Sequence, residues 1–133
     1  MYIKVAVLIE NEDKFLFVKE STPYLGKSWN WPQGKVEECE NLEAAAIREG
    51  FEETGLTLRI EKKLDVLTQT FPDTKELHVF LATVVGVDRF LILPPEEILD
   101  AVWLSRDGAE KWQEEFVGNW ILDTLKNHIE LAT

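Results

Sequence analysis

A single cysteine, Cys39, leaves the chain without any intrachain disulfide, and no second Cys or His stands at metal-ligand spacing from it. A free thiol in a turn suits a reducing compartment. Long apolar runs are also missing. The start, Met1-Tyr2-Ile3-Lys4-Val5, lacks the apolar core and small-residue cleavage site of a signal peptide, and nothing approaches membrane-spanning length. A cytoplasmic protein with no membrane partner is expected. Positive charge is scarce: 14 Lys and Arg stand against 25 Asp and Glu, for a net charge of −11. A nucleic-acid backbone would meet net repulsion, so no nucleic-acid partner is favoured, whereas a small phosphate compound remains accessible through divalent metal. Repeats and low-complexity tracts are absent. With 133 residues and 45% hydrophobic content, residues 1–133 read as one domain with a substantial core.

What is present alternates between strand and helix signals. Tyr2 to Ile9 and Lys14 to Lys19 flank the turn residues Glu10-Asn11-Glu12-Asp13 and predict a β-hairpin. Ser21 to Ser28 is a loop by composition, and Trp29 to Gln33 a short extended piece. Asn41 can cap a helix starting near Leu42, and Gly55 suits a left-handed position just past its end. At 100° per residue Ala44, Ile47 and Phe51 fall in one arc, predicting the packed face, while Glu49, Glu52 and Glu53 cluster roughly opposite. Leu58 to Thr70 is strand-like with a charged interruption at Glu61-Lys62-Lys63, and Leu77 to Val87 predicts a central strand. Ala101 to Leu104 is a further strand, and Ser105 starts a small helix through Trp112. Val117, Ile121, Leu125 and Ile129 recur every four residues, giving a terminal amphipathic helix. Strands, helix, strands, helix predict an α/β fold with a mixed sheet and helices on both faces.

The stretch from Gly34 to Leu56 carries the chemistry. Three carboxylates on neighbouring turns of one helix repel each other, and a hard divalent cation such as Mg²⁺ converts that repulsion into a site. A Glu-rich face is more often merely solvated, so charge alone decides nothing. Spacing decides more. Gly34, five residues, Glu40, seven residues, Arg48-Glu49, two residues, Glu52-Glu53, one residue, Gly55-Leu56 resembles the signature of the Nudix hydrolases. It departs at Gly50, where the family usually has an aliphatic residue, at a helix-propensity cost of about 1 kcal/mol relative to Ala.

The resemblance implies a Nudix-like α/β/α sandwich and metal-dependent hydrolysis of a diphosphate linkage in a nucleoside diphosphate linked to some group X. Mg²⁺ is the implied cofactor, with Mn²⁺ able to replace it. By the same resemblance Glu49 and Glu53 are the principal metal ligands, and Glu52 is a further ligand or the base that deprotonates the attacking water. Gly34 offers its carbonyl to the metal, Arg48 orients the glutamates and Glu40 braces the loop. Glu97, or its neighbour Glu96, is a candidate for an additional acidic ligand, against the plain reading of an exposed loop glutamate. Trp29, Trp31, Tyr24 and Phe71, with Gln33 beside the motif glycine, are candidate substrate contacts, since aromatic faces make platforms for bases. Core packing is the competing reading for each Trp. His78 reads as a structural strand histidine, and His128 carries no functional signal.

A nucleoside triphosphate is the leading substrate class. The subfamily cues conflict beyond that. Trp31-Pro32-Gln33-Gly34 looks more like the version in dinucleoside polyphosphate and RNA 5′-end hydrolases, but the tyrosine that dinucleoside enzymes carry past the motif is replaced by Pro72, Asp73 and Thr74, and a proline there marks ADP-sugar hydrolases. A non-catalytic nucleotide-binding module is the alternative from another class, although no motif carboxylate is missing. Pairing of the domain with itself stays open.

Overall fold

This computed structural model describes residues 2–70, 73–87 and 90–128. Strands β1 (Tyr2–Asn11) and β2 (Lys14–Tyr24) form the expected hairpin. They are paired only beside the turn, at Glu10 with Phe15 and Asn11 with Lys14, and then they part. From there β2 pairs with β3 (Lys27–Asn30) and β7 (Ile98–Leu104), while β1 pairs with β4 (Gln33–Lys35) and β6 (Lys75–Val84). Strand β5 (Leu58–Gln69) lies beyond β6. The β1 and β6 pair is parallel and the others are antiparallel, so the sheet is mixed. The parting of β1 from β2 opens a cleft between their far ends.

Two sequence expectations change in the strands. Ser21 to Tyr24, read as loop, continues β2, with Tyr24 opposite Lys27. Pro23 is tolerated because the register slips between Lys19 and Tyr24, where no ladder donor is required. The charged interruption at Glu61-Lys62-Lys63 does not end its strand but is absorbed as register shifts within β5.

Alternation along β1 sorts its side chains to two cores. Val5, Val7 and Ile9 meet Ala45 and Ala46 of helix α1 (Leu42–Thr54), whereas Ala6 and Leu8 meet Phe17, Phe116, Ile121 and Leu125 on the opposite face. The second face is covered by helices α2 (Arg106–Lys111) and α3 (Trp120–His128), joined through a 3₁₀ turn at Gln113–Glu115. Ser105 caps α2 by accepting from the Gly108 amide at 3.0 Å. Ile121 and Leu125 of the expected terminal stripe are buried, and Ile129 lies outside the described residues. Layers of helix, mixed sheet and helix make the α/β/α sandwich.

Helix α1 has the expected ends. The Asn41 side chain accepts from the Ala44 amide at 2.7 Å, and Gly55 sits at φ 79°, its N–H bonded to the Phe51 carbonyl. Its packed face is a correction. Ala45, Ala46, Gly50 and Thr54 are buried, while Ile47 is 36% and Phe51 55% exposed. The period was right and the phase was wrong, because small residues let the helix backbone approach the sheet closely. Gly50 belongs to this contact: a Cβ there would lie 2.3 Å from Leu58 Cδ1, so Leu58 fills the space a larger residue 50 would take. The same rotation turns Glu49 and Glu53 towards the sheet and leaves Glu52 in solvent.

Candidate active site

Strand β4 brings Gly34 against α1. A Cβ at Gly34 would lie 2.1 Å from the Glu49 carboxyl carbon and 2.3 Å from both its oxygens. Only glycine lets the backbone and that carboxylate share this space. Glu49 is held there by Arg48, whose Nη1 donates to Glu49 Oε1 at 2.7 Å.

Arg48 is the hub of the loop. Its Nε and Nη2 donate to the two oxygens of Glu40 at 2.8 and 2.9 Å, its Nη2 also donates to the Lys35 carbonyl at 3.0 Å, and its Nη1 reaches Glu52 at 3.3 Å. Glu40 Oε1 accepts in turn from the Glu37 amide at 3.1 Å. The bidentate pairing holds the Glu40 carboxyl down to about 2, with the Glu37 amide adding to it. Arg48 is held above its ordinary range by the same bonds. The loop from Lys35 to Glu40 is thereby tied to the helix that carries the glutamates, although Cys39 within it sits exposed at φ 64°.

Glu53 lies one turn further along α1. Burial pushes its carboxyl up to about 9, the charges of Glu20, Glu49 and Glu97 push the same way, and the Gln33 backbone amide opposes them by hydrogen bonding. Glu49 is raised by burial as well, against the pull of Arg48. Glu20, from β2, is raised by burial and accepts from Asn30 Nδ2 at 2.8 Å. Carboxylates from β2, α1 and the loop before β7 thus act on one another electrostatically around Glu53. Among the described residues no three acidic, His or Cys side chains are grouped so as to hold an ion by themselves. The donors near Gly34, Glu49 and Glu53 are all oxygens, the ligand type a hard divalent cation would take.

A neighbouring cleft, reached at Gln33 and Glu20, has a volume of about 510 Å³. Lys4, Glu20, Tyr24, Asn30, Gln33, Lys75 and Trp120 are among its walls. Burial lowers Lys4, partly offset by the attraction of Glu20. Gln33 and Tyr24, two of the candidate contacts, line this cleft. Trp29 and Trp31 do not: they are 8% and 0% exposed and belong to the core. Trp31 fills the corner where the chain crosses from β3 to β4, its ring 5.9 Å from Phe17 and 5.6 Å from Trp120. Trp120, unlike those two tryptophans, lines the cleft. Phe71 lies outside the described residues. Glu97 is exposed, its carbonyl accepting from the Ser21 amide at 2.8 Å, and its charge reaches Glu53. His78 is buried beside Glu76, its partner in β6.

Sequence reasoning missed Glu20, Lys4, Lys75, Asn30 and Trp120. Glu20 had one available signal, a carboxylate two residues past the buried run Phe15 to Val18 on a strand that continues inward. The others acquire meaning only from strand register.

The site thus has a glutamate-bearing helix locked by one arginine against a strand glycine. The NUDIX domain profile matches residues 2–123, and the chain belongs to the Nudix family. It is 31% identical to an m7GpppN-mRNA hydrolase, dcap-2, of Caenorhabditis elegans over 77% of this chain and 13% of that protein. It is 35% identical to an 8-oxo-(d)GTP phosphatase of Mycolicibacterium smegmatis over 61% of this chain and 24% of that one. The chain thus spans well under half the length of either relative. A NUDIX hydrolase structure from Nitrosomonas europaea superposes with a TM-score of 0.79 at 28% identity, covering 94% of this chain and 86% of the other.

Proposed function

We propose that this chain hydrolyses a phosphoanhydride bond in a nucleoside triphosphate, using Mg²⁺ or Mn²⁺ held by Glu49, Glu53 and the Gly34 carbonyl. The observation that carries the proposal is the Glu49 carboxylate seated in the space left by the missing Gly34 side chain and locked by Arg48, with Glu53 one turn along the same helix. A bound divalent cation supplies charge neutralisation at the phosphoryl oxygens. Water attacks phosphorus, the bridging P–O bond breaks, and the water proton passes to a carboxylate. Glu52 and Glu53 are the candidates for that acceptor; Glu52 has the freer side chain, being half-exposed and only loosely tied to Arg48. Arg48 keeps the ligands aimed, and Glu20 and Glu97 add negative charge from the facing side.

The exposed free thiol of Cys39 supports a reducing, cytoplasmic setting. A long RNA substrate is disfavoured by the charge of −11, despite the resemblance to an mRNA hydrolase. The test is a nucleotide panel with Mg²⁺, products identified by mass. The proposal expects release of phosphate or pyrophosphate from a triphosphate, abolished by chelation. Tight nucleotide binding with no turnover across the panel would instead make this a binding module.

A further inference from the structure

The turn of α1 from Glu49 to Thr54 carries both Glu49 and Glu53, and it is held from two sides. On the β4 side Gly34 admits the Glu49 carboxylate. On the β5 side Leu58 enters the gap left by Gly50, its Cδ1 standing 2.3 Å from where a Cβ would lie. The methyl group therefore rests against the helix backbone itself, with no side chain between them. Gly50 follows Glu49 directly, at the position where the Nudix pattern usually has an aliphatic residue. The apolar volume missing from the helix is supplied by the strand.

Leu58 is a firm support. It is buried, opens β5 and pairs with Val84, and only Gly55, Leu56 and Thr57 separate it from the end of α1. The corner between helix and strand is tied as well. Thr54 Oγ1 donates to the Gly50 carbonyl at 2.6 Å and accepts from the Leu56 amide at 3.1 Å, and the Ile92 amide donates to the Thr54 carbonyl at 2.8 Å. Sliding this turn along the sheet would break those bonds, and sinking it towards the sheet would displace Leu58. Strands β4 and β5 are not neighbours, since β1 and β6 lie between them, but α1 packs on both. A change at Leu58 thus reaches Gly34 most directly through the helix.

We infer that Leu58, seated in the Gly50 gap, is a positioning residue for the reaction: it sets how closely α1 lies on the sheet, and hence where the Glu49 carboxylate stands against Gly34. Arg48 aims the carboxylates from the loop side, whereas Leu58 fixes the helix beneath them. This inference rests on the metal reading of Glu49 and Glu53 and adds the residue behind them.

The experiment compares the natural protein with Leu58→Ala, Leu58→Met, Gly50→Ala and the exchange that combines Gly50→Ala with Leu58→Ala. Leu125→Ala, in the core on the opposite sheet face, is the stability control. Two quantities are read: the Gly34 amide resonance in metal-free protein, and Mn²⁺ affinity. Leu58→Ala should shift the resonance and weaken Mn²⁺ binding about tenfold, as when a ligand's support is removed. Leu58→Met, which keeps the volume, should stay within about threefold of the natural protein. Gly50→Ala should act in the direction of Leu58→Ala by pushing Leu58 aside. Alanine favours a helix over glycine, so a weaker metal site in that variant would not come from a weaker helix. The exchange places a new methyl where Leu58 Cδ1 stood and should recover most of the loss. Should Leu58→Ala fold poorly, Gly50→Ala and the exchange carry the comparison. Leu125→Ala should lower the melting temperature and leave both readings unchanged. Unchanged readings in Leu58→Ala and Gly50→Ala, or an equal loss in Leu125→Ala, would overturn the positioning role. If the natural protein bound no Mn²⁺, the metal reading would fail separately, and the Gly34 resonance would still decide on Leu58.

Discussion

The two ends of the site are built differently. The carboxylate end comes from one contiguous stretch, Gly34 to Glu53, in which a short strand, a braced loop and a helix are fastened by the bonds of one arginine. The cleft end is assembled from separated segments: Lys4 on β1, Glu20 and Tyr24 on β2, Asn30 on β3, Lys75 on β6 and Trp120 on α3. Local geometry fixes the first end, and global register fixes the second. A change at the carboxylate end should therefore strike chemistry, while a change in the cleft should strike recognition or the fold beneath it.

The largest expected effect is at the carboxylate end. Glu53→Gln should lower kcat by about 10³-fold, on the scale set by losing one electrostatic element of a preorganised site, with thermal stability little changed. Steady-state kinetics alongside a melting curve checks both halves. Next comes the support beneath the cleft, where Trp31→Ala should cost about 3–5 kcal/mol of folding stability by denaturant unfolding, because its fully buried ring leaves a cavity beside Phe17 and Trp120. A Trp31→Ala variant that kept its stability but lost nucleotide affinity would restore the idea of a base platform.

Gly34→Ala falls between those extremes. Its Cβ would displace the Glu49 carboxylate, so activity should drop about 10- to 100-fold through loss of metal affinity, as when a ligand's support is removed. A normal metal titration in that variant would detach Gly34 from the site. The smallest effect concerns acid stability. The Glu40 carboxyl titrates at about 2 in the folded chain, well below its usual 4.5, so its contribution is present above pH 4.5 and is lost as pH falls towards 2. Glu40→Gln should flatten that part of the melting temperature profile and leave the profile above pH 5 parallel to the natural one.

The sequence was informative where function and local structure coincide. Asn41 and Gly55 mark the two ends of α1, and the order of strands, helix, strands and helix implies a mixed sheet covered on both faces. The phase of α1 was not legible, because Ile47 and Phe51 are the apolar residues a periodicity argument selects, whereas close approach to the sheet selects Ala45, Ala46 and Gly50. The aromatic residues failed for a related reason. Trp29 and Trp31 adjoin the motif in sequence, but the crossing from β3 to β4 turns them into the core, and Trp120, distant in sequence, lines the cleft instead. Lys4 and Lys75 carry no signal until β1 and β6 are known to run parallel in that register.

The central claim is that the carboxylate end binds a divalent metal independently of the cleft end. Titration of Mn²⁺ followed by its paramagnetic resonance signal, in the absence of nucleotide, tests this on the natural protein, Glu53→Gln and Lys4→Met. The account predicts binding in the natural protein, affinity weakened about tenfold or more in Glu53→Gln, and affinity unweakened in Lys4→Met. Equal Mn²⁺ affinity in the natural protein and Glu53→Gln would contradict it.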